Sequence, residues 1–212
     1  MGTKFRGTKT YPLRHQRTLD GIKPFIRGKS QLFVVDIGPG LAWKRTAKLL
    51  PPGGKVRKGI VGMRDIAIKY ADTIARRFAR SGKNLVTFEP FEIAKTVQEA
   101  LGKNAQFNIT VIDNKPQTGI ALQNNRAYAE LSDKVRFIES DIQNTRIPEN
   151  SDLVFATAVL PYTKRDVSIR NLVAGLKKGG ILITDKMTKQ EIKQYGLTLV
   201  KEYGTTAVYS KN

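Results

Sequence analysis

The chain has 212 residues, of which 40% are hydrophobic, and its net charge is +19. Its length supports one sizeable core; it has no cysteine and a single histidine, which excludes disulfides and thiolate metal sites and argues against a histidine-based metal site. No apolar run reaches the ~20 residues of a membrane-spanning helix and no secretory signal is apparent, so we expect a cytoplasmic protein without a membrane partner.

The positive charge is concentrated in two segments. Residues 1–30, a basic N-terminal extension with a predicted helix over 17–27, contain eight Lys or Arg and one acid, which gives +7. Residues 41–84 contain twelve Lys or Arg and two acids, which gives +10. Because such surfaces attract polyanions through counterion release, nucleic acid, with RNA favoured, is the predicted partner of both segments. The alternative, that the charges only keep the protein soluble, stays open.

A strand, a glycine turn and a helix are predicted next. The apolar run 32–35 is typical of a strand buried on both faces, and it leads into Asp36 and a turn that contains Gly38 and Gly40. Residues 41–50 have apolar side chains at helical spacing and predict a helix. This order of elements is typical of sites that hold nucleotide-like ligands at the carboxyl end of a parallel sheet.

A basic insertion over about 51–88 follows, and its own pattern predicts a helix over 64–81. Another helix is predicted from Pro90 to Leu101, because proline suits the first turn of a helix.

From residue 107 onward, predicted strands and helices alternate. The strands are 107–112, 135–138, 153–156 and 181–184, the helices are 117–130, 166–176 and 188–195, and the chain closes with strands 197–203 and 205–209. Because a single glycine separates the last two strands, they must be antiparallel. The pattern predicts an α/β protein whose mostly parallel sheet is covered by helices on both faces.

Acidic residues stand at the carboxyl ends of successive strands. They are Asp36, Asp113 and Asp141. Ligands of open parallel sheets bind outside these ends, where an acid on the second strand can accept hydrogen bonds from a ribose diol and one on the third can meet an adenine amino group. Helix capping is the alternative for each of them.

These motifs together resemble the class I S-adenosylmethionine-dependent methyltransferases. The matching segments, in chain order, are 34–40 for the first motif, 109–116 for the ribose-binding motif, 135–142 for the adenine-contacting motif, 151–162 for the fourth strand and the loop over the methyl group, and 172–184 for the turn before the fifth strand. The resemblance implies a Rossmann-like, doubly wound, seven-stranded fold over residues 31–212, with S-adenosylmethionine as cofactor.

The resemblance assigns the methionine side of the cofactor to four residues. Gly38 and Gly40 would pack against the amino-acid portion, and Asp36 would order their turn or meet the amino group through water. Thr157 would approach the methionine part. Separately, Tyr162 is the candidate for a residue of the substrate pocket, with a role in packing as the alternative.

For the nucleoside side, the resemblance assigns the ribose hydroxyls to Asp113 and the adenine to Asp141 with the amide of Ile142. Glu89 is a rival for the ribose acid, because it too follows a short apolar run. Asp113 is preferred, since a strand, a helix and a further strand follow it at the spacing of the family.

The leading hypothesis is a methyltransferase that acts on an anionic substrate such as RNA. The sequence Leu160-Pro161-Tyr162 lacks the polar first residue of the motif that activates base amino groups, and no cysteine is present for a covalent route. Two alternatives stay open: methylation of a small molecule or protein, and a non-catalytic nucleic-acid-binding protein on a methyltransferase fold.

Overall fold

The computed structural model describes residues 13, 15–43, 85–102 and 106–212. The helix predicted over 64–81 lies outside this part of the chain, as does most of the predicted insertion. The helices are α1 (Gln16–Ile26), α2 (Glu89–Leu101), α3 (Pro116–Asn124), α4 (Arg165–Gly175) and α5 (Lys189–Gln194), and short 3₁₀ helices span Arg126–Lys134 and Leu160–Tyr162. The strands are β1 (Gln31–Ile37), β2 (Ala42–Trp43), β3 (Leu85–Val86), β4 (Gln106–Asp113), β5 (Val135–Glu139), β6 (Ser151–Ala156), β7 (Leu176–Asp185), β8 (Leu197–Tyr203) and β9 (Thr206–Lys211).

Seven of these strands form one sheet in the order β5-β4-β1-β6-β7-β9-β8. The first five in this order are parallel, and β9 pairs antiparallel with both β7 and β8. The predicted fold class, a mostly parallel α/β sheet with an antiparallel C-terminal pair, is therefore confirmed. Since β1 has β4 on one side and β6 on the other, the strand order reverses beside β1, which opens a crevice at the carboxyl ends of β1 and β6.

Hydrophobic cores cover both faces of this sheet. On β1, Leu32 and Val34 belong to a core shared with α1 and α2, whereas Val35 and Ile37 belong to a second core shared with α4. Successive side chains of a strand point to opposite faces of the sheet. A strand with apolar side chains on both faces therefore requires helices on both sides. Burying each such side chain contributes ~1.5–3 kcal/mol.

Helix α1 is part of the first core and confirms the helix predicted near residues 17–27. Its buried stripe is Leu19, Ile22 and Ile26, at the spacing of one helical face. A Cβ atom at Gly21 would lie 1.8 Å from the Tyr203 hydroxyl, so a larger residue at this position would require the Tyr203 side chain to move. The proposed domain boundary at residue 30 stays a prediction.

The helix predicted over 41–50 is wrong at its start. Ala42 and Trp43 form β2, which pairs antiparallel with Val86 and Leu85 of β3, and Leu41 packs with Leu85 against α3. The extended segments satisfy each other's backbone groups, a partnership that local helical spacing cannot reveal. The pairing also brings together the two ends of segment 44–84, which itself lies outside the described residues.

The helix predicted over 117–130 is shorter than expected. Helix α3 ends at Asn124, and Asn125 adopts φ −85° and ψ 75°, outside the helical region. The Asn125 side-chain amide donates to the Thr87 carbonyl at 2.6 Å, which ties this turn to the residues after β3.

Among the helices that the structure describes, none is long and apolar enough to cross a membrane.

Candidate functional site

The glycine turn after β1 lies at the crevice. Gly38 has φ +61°, the left-handed region that favours glycine, and its amide donates to the Ile112 carbonyl of β4 at 2.8 Å. A Cβ atom at Gly38 would lie 3.3 Å from Cγ2 of Val159, which is part of the loop after β6. Gly40 is buried at the end of the same turn. The turn and the loop after β6 therefore face each other closely enough that a side chain would fill the space between them.

Asp36 is the deepest charged group of the site. It is fully buried, and neither of its carboxylate oxygens has a hydrogen-bond partner among the residues that the structure describes. Burial raises the pKa of Asp36 well above its ordinary value, and the charges of Glu89 and then Asp113 raise it further. Because an unpaired buried carboxyl group is costly, its oxygens are suited to a donor that arrives with a ligand.

Asp113 ends β4, the strand beside β1, and is buried. Its carboxylate accepts hydrogen bonds from the Lys115 amide at 3.1 Å and from the Thr118 hydroxyl at 2.6 Å. Burial raises the pKa of Asp113, and the bond from Thr118 opposes that shift. A carboxylate offers about four acceptor positions, so these two hydrogen bonds leave capacity for ligand hydroxyls.

Glu89, the rival of Asp113, lies elsewhere in the cleft. It is the first residue of α2 and is buried, and its Oε1 accepts a hydrogen bond from the Thr157 hydroxyl at 3.0 Å. The Nε2 atom of His15 lies 3.1 Å from that same hydroxyl and 3.7 Å from Oε2 of Glu89. The two acids therefore lie in different places. Asp113 ends the strand beside β1, where a ribose diol is expected, whereas Glu89 lies beside Thr157.

His15 is a further buried residue of this region that the sequence did not predict. It is buried just before α1, and its ring packs edge-on against Phe155 of β6, with centroids 5.4 Å apart. Asp36 is the register partner of Phe155 on the neighbouring strand β1. No local pattern predicts this position, because His15 and Thr157 are 142 residues apart in the chain.

Asp141 and Ile142 follow β5, on the far side of β4. Asp141 is partly buried, and its Oδ1 accepts from the Gln143 amide at 2.8 Å. Ile142 is buried in the core under α4, and its carbonyl accepts from the Asn171 side chain at 2.7 Å. The structure thus brings these residues to the same end of the sheet as Asp113, and their contact with adenine stays a prediction.

The loop after β6 carries Thr157 at its base and Tyr162 at its far end. Thr157 is buried, whereas Tyr162 is 67% exposed within a 3₁₀ turn. Ala158 has φ +56°. The loop is held by Asp185, the last residue of β7, which accepts from three of its backbone amides. Asp185 is a second residue that sequence reasoning missed.

The chemistry of this cleft fits S-adenosylmethionine. That molecule carries a positive sulfonium and an ammonium group, and the buried acids Asp36, Glu89 and Asp113 have carboxyl oxygens that can accept hydrogen bonds from such a ligand. The orphaned oxygens of Asp36 supply acceptors for a cationic group, and the glycine turn leaves the space that a side chain would fill. Within the described ranges, no group of three His, Asp or Glu side chains is arranged to hold a metal ion.

A family profile described as a methyltransferase domain matches residues 75–184, about half of the chain. The match includes Asp113, Asp141 and Thr157, and it begins after the glycine turn. No curated protein matches the sequence.

Solved structures with the same fold cover nearly the whole chain. The N-methyltransferase NodS from Bradyrhizobium japonicum WM9, in complex with S-adenosyl-L-homocysteine, is 14% identical; the alignment covers 96% of this chain and 89% of that one, with a TM-score of 0.51. A TehB-like SAM-dependent methyltransferase from Corynebacterium glutamicum is 13% identical, with coverages of 97% and 90% and a TM-score of 0.50. Magnesium protoporphyrin IX methyltransferase (ChlM) from Synechocystis PCC 6803, with bound SAM, is 12% identical, with coverages of 94% and 81% and a TM-score of 0.50.

These likenesses agree on the fold, and the profile match establishes the family. The sheet order is the one that the sequence resemblance implied. The chain belongs to the methyltransferase domain family, the class I S-adenosylmethionine-dependent methyltransferases, and S-adenosylmethionine is its cofactor.

Proposed function

We propose that this methyltransferase acts on an anionic substrate, with RNA as the favoured acceptor. The observation that supports the proposal is the pairing of β2 with β3, in which Trp43 lies opposite Leu85. The residues on either side of segment 44–84 therefore lie next to each other, one following the glycine turn and the other preceding α2 in the chain. Segment 44–84 contains twelve Lys or Arg and two acids, a net charge of +10.

The acidic residues of the cleft and the positive charge of segment 44–84 belong to separate parts of the chain. The acids that suit the cationic cofactor are buried, whereas the positive charge belongs to segment 44–84, whose flanking strands β2 and β3 pair with each other. Positive side chains at the rim would hold a phosphate backbone without reading its sequence. An acceptor atom of the bound strand is then kept near the cleft.

When bound, the cofactor supplies a methyl group activated by the positive charge on its sulfur. The residues of this chain have the tasks of binding and alignment. Asp113 is suited to hold the ribose, the turn at Gly38 to let the amino-acid portion approach, and Asp36 to accept hydrogen bonds from a donor there. Holding both reactants in line can supply ~7–11 kcal/mol of the barrier reduction in favourable systems.

Binding of RNA across a series of salt concentrations tests the proposal. For single strands, the slope of log affinity against log salt is about −0.7 per phosphate neutralised. Replacing Arg76, Arg77 and Arg80 with Gln should flatten that slope by about two units, if each arginine neutralises one phosphate. Calorimetric affinity for S-adenosylmethionine should stay unchanged.

A matched control removes the same charge elsewhere. Lys178, Lys189 and Lys193 are exposed on β7 and α5, and their joint replacement by Gln also lowers the net charge by three. The control should leave the slope close to that of the parent protein. Equal slopes in the parent and in the arginine variant would remove RNA as the acceptor and leave a methyltransferase of a small molecule or a protein.

A further inference from the structure

We propose that Asp36 carries a proton in the empty cleft, releases it when S-adenosylmethionine binds, and takes one up again once the sulfur has lost its methyl group. The site therefore favours the cationic cofactor over the product, S-adenosylhomocysteine, whose sulfur is neutral. This inference deepens the function by naming what regulates that same site. It rests on cofactor binding at the crevice and does not depend on the identity of the methyl acceptor.

Nothing around Asp36 in the empty cleft stabilises a negative charge. The side chain is fully buried, and neither of its oxygens accepts a hydrogen bond from the residues that the structure describes. Its register partners are both apolar, Val111 on β4 and Phe155 on β6. An ionised carboxylate without a partner is so costly away from water that the group takes up a proton instead.

The charged groups around Asp36 strengthen this preference. After the larger effect of burial, the charges of Glu89 on α2 and Asp113 at the end of β4 also raise the pKa of Asp36. Two acids so close to a third disfavour its ionisation. The other titratable groups on the elements packed here are His15 before α1, Glu92 on α2 and Lys115 after β4, and α1 itself adds the exposed Arg17 and Asp20.

The two neighbouring acids differ from Asp36 because each has a hydrogen-bond donor. Oε1 of Glu89 accepts from the Thr157 hydroxyl at 3.0 Å. Asp113 accepts from the Thr118 hydroxyl at 2.6 Å, a bond that opposes the effect of burial on its pKa. Because such bonds favour the ionised form of a carboxyl group, Asp36 is the one of the three acids that carries the proton.

Cofactor binding reverses the preference of Asp36. The residue lies near the end of β1, just before the turn at Gly38, where ligands of such sheets bind. A positive charge that arrives in this crevice favours the ionised carboxylate, so Asp36 loses its proton to the solvent. The pKa of Asp36 is then lower with cofactor than without, and between these two values the affinity for the cofactor rises with pH.

Methyl transfer restores the first state of Asp36. The carbon–sulfur bond breaks, the sulfur keeps the electron pair, and the sulfonium becomes a neutral thioether. Asp36 is once more a buried carboxylate with no cation from the sulfur nearby, and it takes a proton from the solvent. The product loses an attraction that the cofactor had, which favours exchange of spent product for new cofactor.

Calorimetry in buffers of different ionisation enthalpy counts the protons released on binding, without any methyl acceptor. Over a series of pH values, S-adenosylmethionine should release up to about one more proton from the parent protein than S-adenosylhomocysteine does. The product is the matched control, because both ligands carry the same amino-acid and nucleoside groups. Affinity for the cofactor should rise by up to ~10-fold per pH unit, and affinity for the product less steeply. Equal proton counts for the two ligands at every pH would overturn the proposal.

Two variants assign the proton to a residue. Asp36→Asn resembles the protonated carboxyl group in shape and cannot ionise, so the difference in proton count should vanish. Its preference for cofactor over product should fall ~10-fold or more at a pH where the parent releases the proton. Glu92→Gln removes another buried acid whose pKa is raised, to about 7, and should keep the difference. A difference that survives in Asp36→Asn would overturn the role of Asp36.

Infrared difference spectra of the parent protein decide the question even if Asp36→Asn fails to fold. S-adenosylmethionine should remove the C=O stretch of a protonated carboxyl group, and S-adenosylhomocysteine should leave it in place. Labelling aspartate carboxyl groups with ¹³C should shift this band. A band that shifts only when glutamate is labelled, or no lost band, would contradict the proposal. Since no acceptor is present, a failure of the RNA proposal would leave these results unchanged.

Discussion

Removing the carboxylate of Asp185 should loosen the loop after β6 and weaken cofactor binding. Oδ1 accepts from the Ala158 amide at 3.1 Å, and Oδ2 accepts from the amides of Val159 and Leu160 at 3.2 and 3.1 Å. The loop also contains Ala158 at φ +56°, a left-handed conformation that costs an alanine ~1–2 kcal/mol. A single carboxylate thus holds a strained backbone in place.

The size of the effect follows from these bonds. A hydrogen bond to a charged group contributes ~1.5–3 kcal/mol, but here several share one carboxylate and water can replace part of them, so a loss of ~2–3 kcal/mol is expected for Asp185→Ala. For a protein of this size that corresponds to a fall in melting temperature of ~4–12 °C. Because Val159 faces the turn at Gly38, the affinity for S-adenosylmethionine should fall about tenfold.

The assay combines thermal unfolding with calorimetric titration of the cofactor. Asp185→Asn keeps one acceptor oxygen and should lie between the parent protein and Asp185→Ala in both measurements. Glu130→Ala, which removes an exposed acid from the first 3₁₀ helix, is the control for the change in net charge. Parent-like stability and affinity in Asp185→Ala would refute the idea that Asp185 holds the loop.

The remaining predictions concern the other residues of the cleft. Asp113→Ala should weaken S-adenosylmethionine binding ~10- to 100-fold by calorimetry, and a loss in Glu89→Ala without one in Asp113→Ala would reassign the ribose acid. Gly38→Val should abolish cofactor binding while the circular dichroism spectrum stays folded; a lost spectrum would mean a structural role instead. Burial raises the pKa of Glu92 from 4.5 to about 7, against the opposing bond from Leu13 and the charge of a nearby lysine. Because the pKa of Glu92 is higher in the folded protein, its protonated form contributes fully to the free energy of unfolding below pH 4.5. This contribution is lost as the pH rises through about 7. Glu92→Gln should therefore remove a decline in unfolding free energy of ~3 kcal/mol over that window, and parallel pH curves for the two proteins would contradict the assignment.

The strands that the sequence predicted after residue 106 agree well with β4 to β9 of the structure. Strands such as β6, whose six residues are all buried, contain a continuous apolar run, here 153–156, and turns or acids mark its ends. The antiparallel closure of β8 and β9 followed from one separating glycine. These signals are local, and they agree with the tertiary structure because the central strands β1, β4 and β6 are mostly buried on both faces.

The features that the sequence did not predict depend on contacts between distant residues. The strand at residues 42–43 exists because it pairs with 85–86, while the local spacing favours a helix. His15 reaches Thr157 across 142 positions, and Asp185 reaches Ala158 across 27. In a single sequence, an isolated histidine before a helix and an acid at the end of a strand have many equivalents, and only the folded arrangement selects these two.

The cleft and its neighbouring segment carry opposite charges, and their responses to salt should differ for a physical reason. Asp36, Glu89 and Asp113 are buried, so if they hold the cationic cofactor as proposed, ions in solution would screen that attraction only weakly. Phosphate binding by the twelve Lys and Arg of segment 44–84, as proposed, takes place in water, where the Debye length is ~8 Å at physiological ionic strength. The pairing of β2 with β3 shows only that the residues on either side of that segment lie together. Under the proposal, a polyanionic acceptor would be attracted and released by ionic interactions that leave the binding of S-adenosylmethionine unchanged.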